Sequence, residues 1–394
     1  KVYRSPKNLE LAKLYEAMMQ EGLNELVYPI QMAGLSYGLS IQKKGVLLSI
    51  GGYSERIGDL IKLVTKNLKE VNVDEQKFAN IKEAMARGLK NKKLGQAYSR
   101  GGYYNWLMLL EDQYTEEEKL SALTAITLKD VKAFAKTLYD RVFITGMVHG
   151  NWSNKKAQES VDILLSALGS KSLPENERFE QVVKIIPEGK RFRFSQEVED
   201  NNNSLAYAIQ VGEKDFSLLA QASIIASIVE SDFYTQMRTN QQLGYIVWSF
   251  NQRIEDRIFF RLVIQSSTHG PFEMSKRVNA WLASTEKLFS KLTDQEFSRH
   301  QQSLIVALEK EGDSIGAVAG DLYALAADEK GDFRFKKKLI QAVKDLKKGE
   351  VAQTAGKIFR DPQTPRLEVL MRAKGSQEKV PEGVITEVSQ FSAH

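Results

Sequence analysis

Apolar residues in the first third of the chain change from helical spacing to strand spacing and back. An alternating run over 35–41 predicts a strand with one buried face. A second alternating run over 46–50 follows Lys43-Lys44-Gly45, a sequence typical of a hairpin turn. A helix, interrupted at Gly22, is predicted before them on the positions Leu11, Leu14, Tyr15, Met18, Leu23, Leu26 and Ile30.

The remainder of the first half predicts further helices and one more strand. An apolar stripe over 57–68 indicates a helix. Thr115-x-x-Glu118 is a capping box, which marks the start of another helix. A helix near 127–139 is followed by a strand around 141–148.

The second half repeats this order of elements. The predicted segments are a helix over 215–238, strands near 244–250 and 257–265, a helix over 274–288, a capping box at Thr293 and Glu296, and a strand at 367–372. Ala33–Tyr37 corresponds to Leu243–Val247, 210 residues later, and Val131 to Val351, 220 residues later. We interpret this as two copies of one α+β unit.

Turn and linker residues at 169–174 and 187–190 indicate where these units meet. We therefore predict a first domain over 1–175 and a second over 185–375. Residues 376–394 lack periodicity, and we expect them to form a loose tail.

Composition excludes several classes of protein. The 394 residues are 42% apolar and 27% charged, which is typical of a globular chain, and the net charge of +5 does not favour nucleic-acid binding. There is no Cys, so disulfides and thiolate catalysis are excluded. The chain has no run of about 18 apolar residues, so we expect no membrane-spanning helix. The first residue is Lys with no signal peptide after it, so we expect a longer precursor.

The histidines do not form a zinc motif. His149, His269, His300 and His394 are the four in the chain, and none lies within five residues of another. A catalytic zinc site of the helical type needs two His on one helix face, with a carboxylate between them. We therefore expect no metal site in this chain, with a site assembled from distant His as the alternative.

The segment Arg238-Thr-Asn-Gln-Gln-Leu-Gly-Tyr-Ile-Val-Trp places an arginine and a tyrosine seven residues apart at a helix–strand junction. Together with Gln31–Tyr37, Leu48–Tyr53 and Leu123–Thr127 through Asn151, it resembles the C-terminal half of insulysin/pitrilysin-type peptidases. These are the M16 zinc metalloendopeptidases. The resemblance covers roughly residues 5–375.

The resemblance implies the M16 metallopeptidase (LuxS/MPP-like) fold, in which two similar α+β domains each have a mostly antiparallel sheet flanked by helices. It implies a non-catalytic half that closes a peptide-degrading chamber against an N-terminal half, which carries the zinc in the same polypeptide or in a partner subunit. It further implies that Arg238 and Tyr245 contact peptide substrate and its transition state, with Gly244 permitting close approach. Bacterial relatives indicate a periplasmic location, with the cytoplasm as the alternative.

Each of these residues also has a purely structural interpretation. Arg238 could be a cation that complements the C-terminal end of a helix dipole. Tyr245, on a strand and on the same face as Val247, could be a buried aromatic residue. Gly244 could mark a bulge without a ligand. The alternative for the whole chain is a catalytically inactive, stand-alone peptide-binding or scaffold subunit.

Overall fold

The computed structural model describes residues 2–391, apart from the side chain of Glu25. Contacts divide the chain into two compact units, which interleave along the sequence. The first unit takes in the residues up to Lys92, with Asp112–Gln181 and Gly312–Gly331. The second takes in Lys93–Glu111, Val182–Glu311 and the residues from Asp332 onward. The division into 1–175 and 185–375 stays a prediction.

The helices and strands follow one another in a mixed order. The helices are α1 (Pro6–Met32), α2 (Ile57–Asn67), α3 (Glu75–Asn91), α4 (Ala97–Leu109), α5 (Glu116–Ala125), α6 (Leu128–Leu138), α7 (Asn154–Leu168), α8 (Phe216–Tyr234), α9 (Pro271–Ser284), α10 (Glu286–Lys291), α11 (Asp294–Glu309), α12 (Ile315–Ala327), α13 (Phe335–Asp345) and α14 (Lys348–Arg360). The strands are β1 (Ser36–Gln42), β2 (Gly45–Gly51), β3 (Arg141–Val142), β4 (Lys171–Ser172), β5 (Arg191–Glu197), β6 (Asn203–Glu213), β7 (Ile246–Ile254), β8 (Arg257–Ser266) and β9 (Arg366–Arg372).

The first unit is built around α1. Ser5 caps this helix by accepting a hydrogen bond from the backbone N–H of Asn8, and Pro6 occupies its first turn. The predicted interruption at Gly22 is wrong, because α1 continues through it, and buried side chains on both sides keep the helix packed. The hydroxyl of Tyr15 donates to the carbonyl of Leu68, which ties α1 to the end of α2.

Sheet structure in the first unit is short. The predicted hairpin is confirmed, since β1 and β2 pair antiparallel from Ser36↔Gly51 to Gln42↔Gly45. The predicted strand over 141–148 is wrong beyond its first two residues, because only β3 finds a partner, the equally short β4. Alternation alone makes no strand when no neighbouring backbone is available to pair.

The second unit contains a five-stranded sheet in the order β5-β9-β6-β8-β7. Only the β5–β9 pair is parallel, and the other three pairs are antiparallel. Alternate residues of β6 point to opposite faces. Leu205 and Ile209 join the core with α8, while Ala206 packs with α4 on the other face. The predicted α+β class, with antiparallel-rich sheets and flanking helices, is confirmed.

Helix α8 and the turn after it are apolar along most of their length. By length and composition alone, Phe216–Asn240 is the one stretch within the described residues that could cross a membrane. Half of an 18-residue apolar part of that stretch is buried within the protein, and α8 contributes many buried side chains to the second unit's core. A buried core helix passes the same test as a membrane span, so the stretch is weak evidence for one.

The expectation of a loose tail after residue 375 is wrong for the part that the structure describes. Ile385 bridges to Phe194 of β5, accepting a hydrogen bond from Ser195 N and donating one to Arg193 O. Phe391 is buried, with its ring centroid 4.7 Å from that of Phe192. The segment therefore runs along the outer edge of β5, while residues 392–394 lie outside the described range.

Candidate functional site

The backbone between α8 and β7 departs from regular geometry at two places. After Tyr234 the helix continues as a π-helical turn, Thr235–Asn240, which carries Arg238. Gln242 then adopts a left-handed conformation, with φ 52°. The loop is held by Leu243, whose buried side chain joins the core and whose N–H donates to the carbonyl of Met237 at 2.9 Å. Such π-turns and left-handed non-glycine residues are concentrated at functional sites.

Arg238 lies against two tyrosine rings. Its guanidinium carbon is 4.4 Å from the ring centroid of Tyr245 and 5.0 Å from that of Tyr234. Its Nη1 donates to the carbonyl oxygen of Tyr245 at 3.1 Å. A guanidinium has five N–H groups. The bond to Tyr245 is the one hydrogen bond between the Arg238 guanidinium and the described residues. The stacking therefore fixes the orientation of the group while leaving donors for a ligand.

Tyr245 is open to solvent. Its side chain is 80% exposed, and no described residue makes a hydrogen bond to its hydroxyl. The interpretation of Tyr245 as a buried aromatic is therefore wrong. Its predicted place on a strand, sharing a face with Val247, is also wrong: β7 begins one residue later, and Val247 is only 2% exposed. The bend at 245 turns the side chain out of the sheet before pairing begins.

Gly244 permits close approach, as expected, but the backbone that approaches belongs to the same chain. A Cβ added at Gly244 would lie 1.9 Å from the carbonyl oxygen of Gln265 at the end of β8. Only glycine fits this contact. The structure thus accounts for Gly244 without a ligand, and its role in binding substrate stays a prediction.

Comparison with known proteins places the two halves of this chain in one family. Residues 1–122 match the family described as the middle or third domain of peptidase M16. Residues 224–322 match the PQQ synthase PqqF-like C-terminal lobe domain 4. The chain belongs to the M16 peptidases. Insulin-degrading enzyme of Homo sapiens is 30% identical to this M16 chain over 309 residues, which is 77% of this chain and 30% of the relative.

Solved structures show the same M16 fold. Pitrilysin superposes with a TM-score of 0.86 at 21% identity, covering 98% of this chain and 42% of that one. The peptidase M16 inactive domain from Pseudomonas fluorescens has a TM-score of 0.69 at 16% identity, with 93% and 89% covered. The periplasmic protease PqqL from Escherichia coli has a TM-score of 0.68 at 12% identity, with 95% and 42% covered. The chain spans about a third of the length of the curated relatives it matches.

The described residues were compared with the ligand set that a metal ion needs. They contain no group of three His, Cys, Asp or Glu that could hold a metal ion. His300 Nδ1 lies 2.7 Å from Ser227 Oγ, and burial lowers the pKa of His300. His269 Nδ1 lies 2.9 Å from Thr268 Oγ1. His394 is outside the described residues.

Sequence reasoning missed the aromatic residues around Arg238. Tyr234 lies four residues before Arg238, a spacing that places two side chains on the same face of a helix. That spacing could have revealed it. Trp248 and Phe250 follow Tyr245 on alternate positions of a strand, so they share a face, and both are partly exposed. Tyr98, whose ring centroid lies 5.3 Å from that of Trp248, comes from α4 and could not be placed from sequence.

Proposed function

We propose that this chain is the non-catalytic half of an M16 zinc metalloendopeptidase. In this function it closes a peptide-degrading chamber against an N-terminal half, which holds the zinc in the same polypeptide or in a partner subunit. It supplies Arg238 and Tyr245 to the bound peptide. One observation carries this proposal: the Arg238 guanidinium lies against the rings of Tyr234 and Tyr245, and no described residue makes a hydrogen bond to the exposed hydroxyl of Tyr245.

The two side chains provide complementary donors to a peptide. The Arg238 guanidinium donates to one or two peptide carbonyl oxygens, because its N–H groups lie in a rigid plane. The Tyr245 hydroxyl donates to the oxygen of the carbonyl under attack, where negative charge develops. Because Arg238 is already oriented, little side-chain entropy is lost when peptide binds. Holding the peptide in this way makes the subsequent attack effectively unimolecular.

The location of the protein is a separate proposal. We propose the periplasm, with the cytoplasm as the alternative, because one structural neighbour, PqqL from Escherichia coli, is a periplasmic protease. Fractionation of the source cells, followed by immunoblotting, tests this proposal.

Substitution in the reconstituted two-half enzyme tests the function. We expect Arg238→Ala and Tyr245→Phe each to lower kcat/KM by about 10²–10³, the usual loss for one oxyanion-hole donor. Peptide affinity, measured with the zinc removed, should change far less for Tyr245→Phe than its turnover does, since that hydroxyl acts mainly in the transition state. Matched controls are Arg87→Ala and Tyr28→Phe, both exposed in the first unit.

Unchanged turnover in both variants would show that Arg238 and Tyr245 have only a structural role. The stand-alone peptide-binding or scaffold subunit would then be the better description. A loss in the control variants of similar size would instead show a general loss of folding, which circular dichroism of each variant checks directly.

A further inference from the structure

The sheet of the second unit contains a buried arginine without an acidic partner. Arg261 lies in the middle of β8 and is only 6% exposed. Burial lowers the pKa of Arg261 to about 10, and no described carboxylate lies close enough to oppose that shift. A guanidinium nevertheless stays protonated in proteins. The fold therefore holds a positive charge that no carboxylate among the described residues neutralises.

Arg366, in the same sheet, has a more complete set of partners. It is 2% exposed, and its guanidinium donates hydrogen bonds to the hydroxyl of Tyr207 and to the carbonyl oxygen of Phe359. Arg261 makes a single hydrogen bond within the described part of the chain, from Nη1 to Oδ1 of Asn105 at 2.7 Å. A charge taken out of water needs hydrogen bonds or an opposite charge in return. The surroundings of Arg261 supply little of either.

The remaining donors of Arg261 can be reached from outside the protein. The Nε atoms of Arg193, Arg366 and Arg372 are sealed from solvent without a partner, whereas no nitrogen atom of Arg261 is both sealed and unpaired. Since Nη1 is the atom that has a partner, Nε and Nη2 of Arg261 keep some contact with solvent. A small ligand group can therefore meet this edge of the guanidinium without unfolding the sheet.

Arg261 stands where a covered part of the sheet face meets an open part. Its neighbour on β6 is Ala208, which is fully buried, and Asn105 of α4 lies on the same side. Its neighbour on β7 is Phe250, and residues directly opposite each other in an antiparallel pair share a face. Phe250 is 37% exposed, and Trp248, two positions earlier on that face, is 46% exposed. The charged group thus lies beside an exposed aromatic surface.

We propose that Arg261 binds a carboxylate, supplied either by an acidic side chain of a polypeptide or by a small free carboxylate. A carboxylate accepts two parallel N–H bonds from a guanidinium, which fits the edge formed by Nε and Nη2. Asn105 holds the guanidinium in place, because its own amide is fixed by a bond from Nδ2 to the carbonyl of Ala206 at 3.3 Å. Phe250 offers an apolar surface to the rest of the ligand. The site needs no zinc, so this inference is independent of the proposed function.

Isothermal titration calorimetry of the whole chain, at physiological ionic strength, tests the site. The probes are an acetylated and amidated tripeptide with one Glu between two Ala, the same tripeptide with Gln in place of Glu, and sodium acetate. We expect the Glu peptide to bind at one site per chain, and the Gln peptide to bind at least about ten-fold more weakly, since it lacks the charge that strengthens the hydrogen bonds. Tighter binding of the Glu peptide than of acetate assigns the site to acidic side chains, whereas equal binding assigns it to free carboxylates.

Two substitutions test the role of Arg261 in different ways. Arg261→Met removes the charge and keeps a long apolar side chain, so the variant should fold and should bind the Glu peptide at least about ten-fold more weakly. Asn105→Asp keeps Arg261 and nearly the same shape, but places a carboxylate 2.7 Å from Nη1. This internal partner competes with the ligand, so binding should again weaken by at least about ten-fold. The control Arg87→Met, at an exposed position of the first unit, should leave binding unchanged.

Arg261→Lys keeps the charge without the planar pair of donors, and we expect it to bind the Glu peptide more weakly than the unchanged chain. It also answers the question if circular dichroism shows that Arg261→Met does not fold. Equal affinity of the unchanged chain, Asn105→Asp and a folded Arg261 variant would overturn the proposal. Failure of both the Glu peptide and acetate to give saturable binding would overturn it as well, and Arg261 would then be a structural residue only.

Discussion

At the scale of single residues, the site depends on irregular backbone more than on unusual side chains. Arg238 lies in the π-helical turn Thr235–Asn240, and the left-handed Gln242 lies between Arg238 and Tyr245. A left-handed conformation costs a non-glycine residue about 1–2 kcal/mol. The buried side chain of Leu243 holds the loop in place against that cost. Packing in the core thus determines where the guanidinium and the phenol stand.

The sequence indicates the pair but not its surroundings. Spacing and resemblance identify Arg238 and Tyr245, and the structure places them in contact. The exposure of Tyr245 could not be predicted from alternation, because a bend before β7 reverses the face on which it lies. The same is true of Gly244, whose neighbour Gln265 is fixed only once β7 and β8 pair.

Gly244→Ala tests whether this backbone contact sets the site. The added methyl group would lie 1.9 Å from the carbonyl of Gln265, so the loop or the end of β8 must move. We expect a loss of about 1–3 kcal/mol in the free energy of unfolding, as for other overpacked positions, and reduced turnover in the reconstituted enzyme. Denaturant titration measures the first and peptide hydrolysis the second.

Gly58→Ala is the matched control. Gly58 lies in α2, where an added Cβ meets nothing within 4 Å. Because alanine favours a helix more than glycine does, this variant should be unchanged or more stable by up to about 1 kcal/mol. Equal stability of the two alanine variants would show that the Gly244 contact relaxes without cost.

At the scale of elements, local chemistry was predicted well and long-range pairing poorly. Both capping boxes are confirmed, with Thr115 and Thr293 each exchanging hydrogen bonds with the Glu three residues later. A capping box requires only four consecutive residues. By contrast, the shortened strand at 141–142 and the ordered segment around Ile385 depend on which distant backbone is available.

Phe391→Ala tests whether the final described segment is part of the fold. Its ring is buried against Phe192, at the edge of the second unit's core. Replacing a buried Phe with Ala costs about 3–5 kcal/mol, and we expect a value near the lower limit because the site is at an edge. Thermal or urea unfolding of the whole chain measures it. Phe333→Ala, at a ring that is 56% exposed, should change stability by less than about 0.5 kcal/mol. Equal changes in the free energy of unfolding of the two variants would show that the segment after residue 375 is a loose tail.

At the scale of the whole molecule, the family and the α+β class follow from sequence, whereas the grouping of segments does not. Residues 93–111 pack with the second unit and 312–331 with the first. No pattern of hydrophobic positions indicates this exchange, because an amphipathic helix shows which face is buried and not which partner buries it. For the same reason, the boundaries of a sequence repeat need not coincide with the boundaries of the compact units.

Whether this chain can cleave peptide alone is also a property of the whole molecule. Three of its four His are described, each in a separate part of the structure, and no acidic pair completes a ligand set with any of them within the described residues. We expect the purified chain, dialysed against zinc and then against buffer, to retain no stoichiometric metal by elemental analysis and to cleave no peptide. Adding the zinc-bearing half should produce chelator-sensitive hydrolysis, and that half alone serves as the control. One tightly bound zinc per chain, with cleavage that a chelator stops, would contradict the proposal that the zinc lies in the other half. The chain would then contain its own reaction centre.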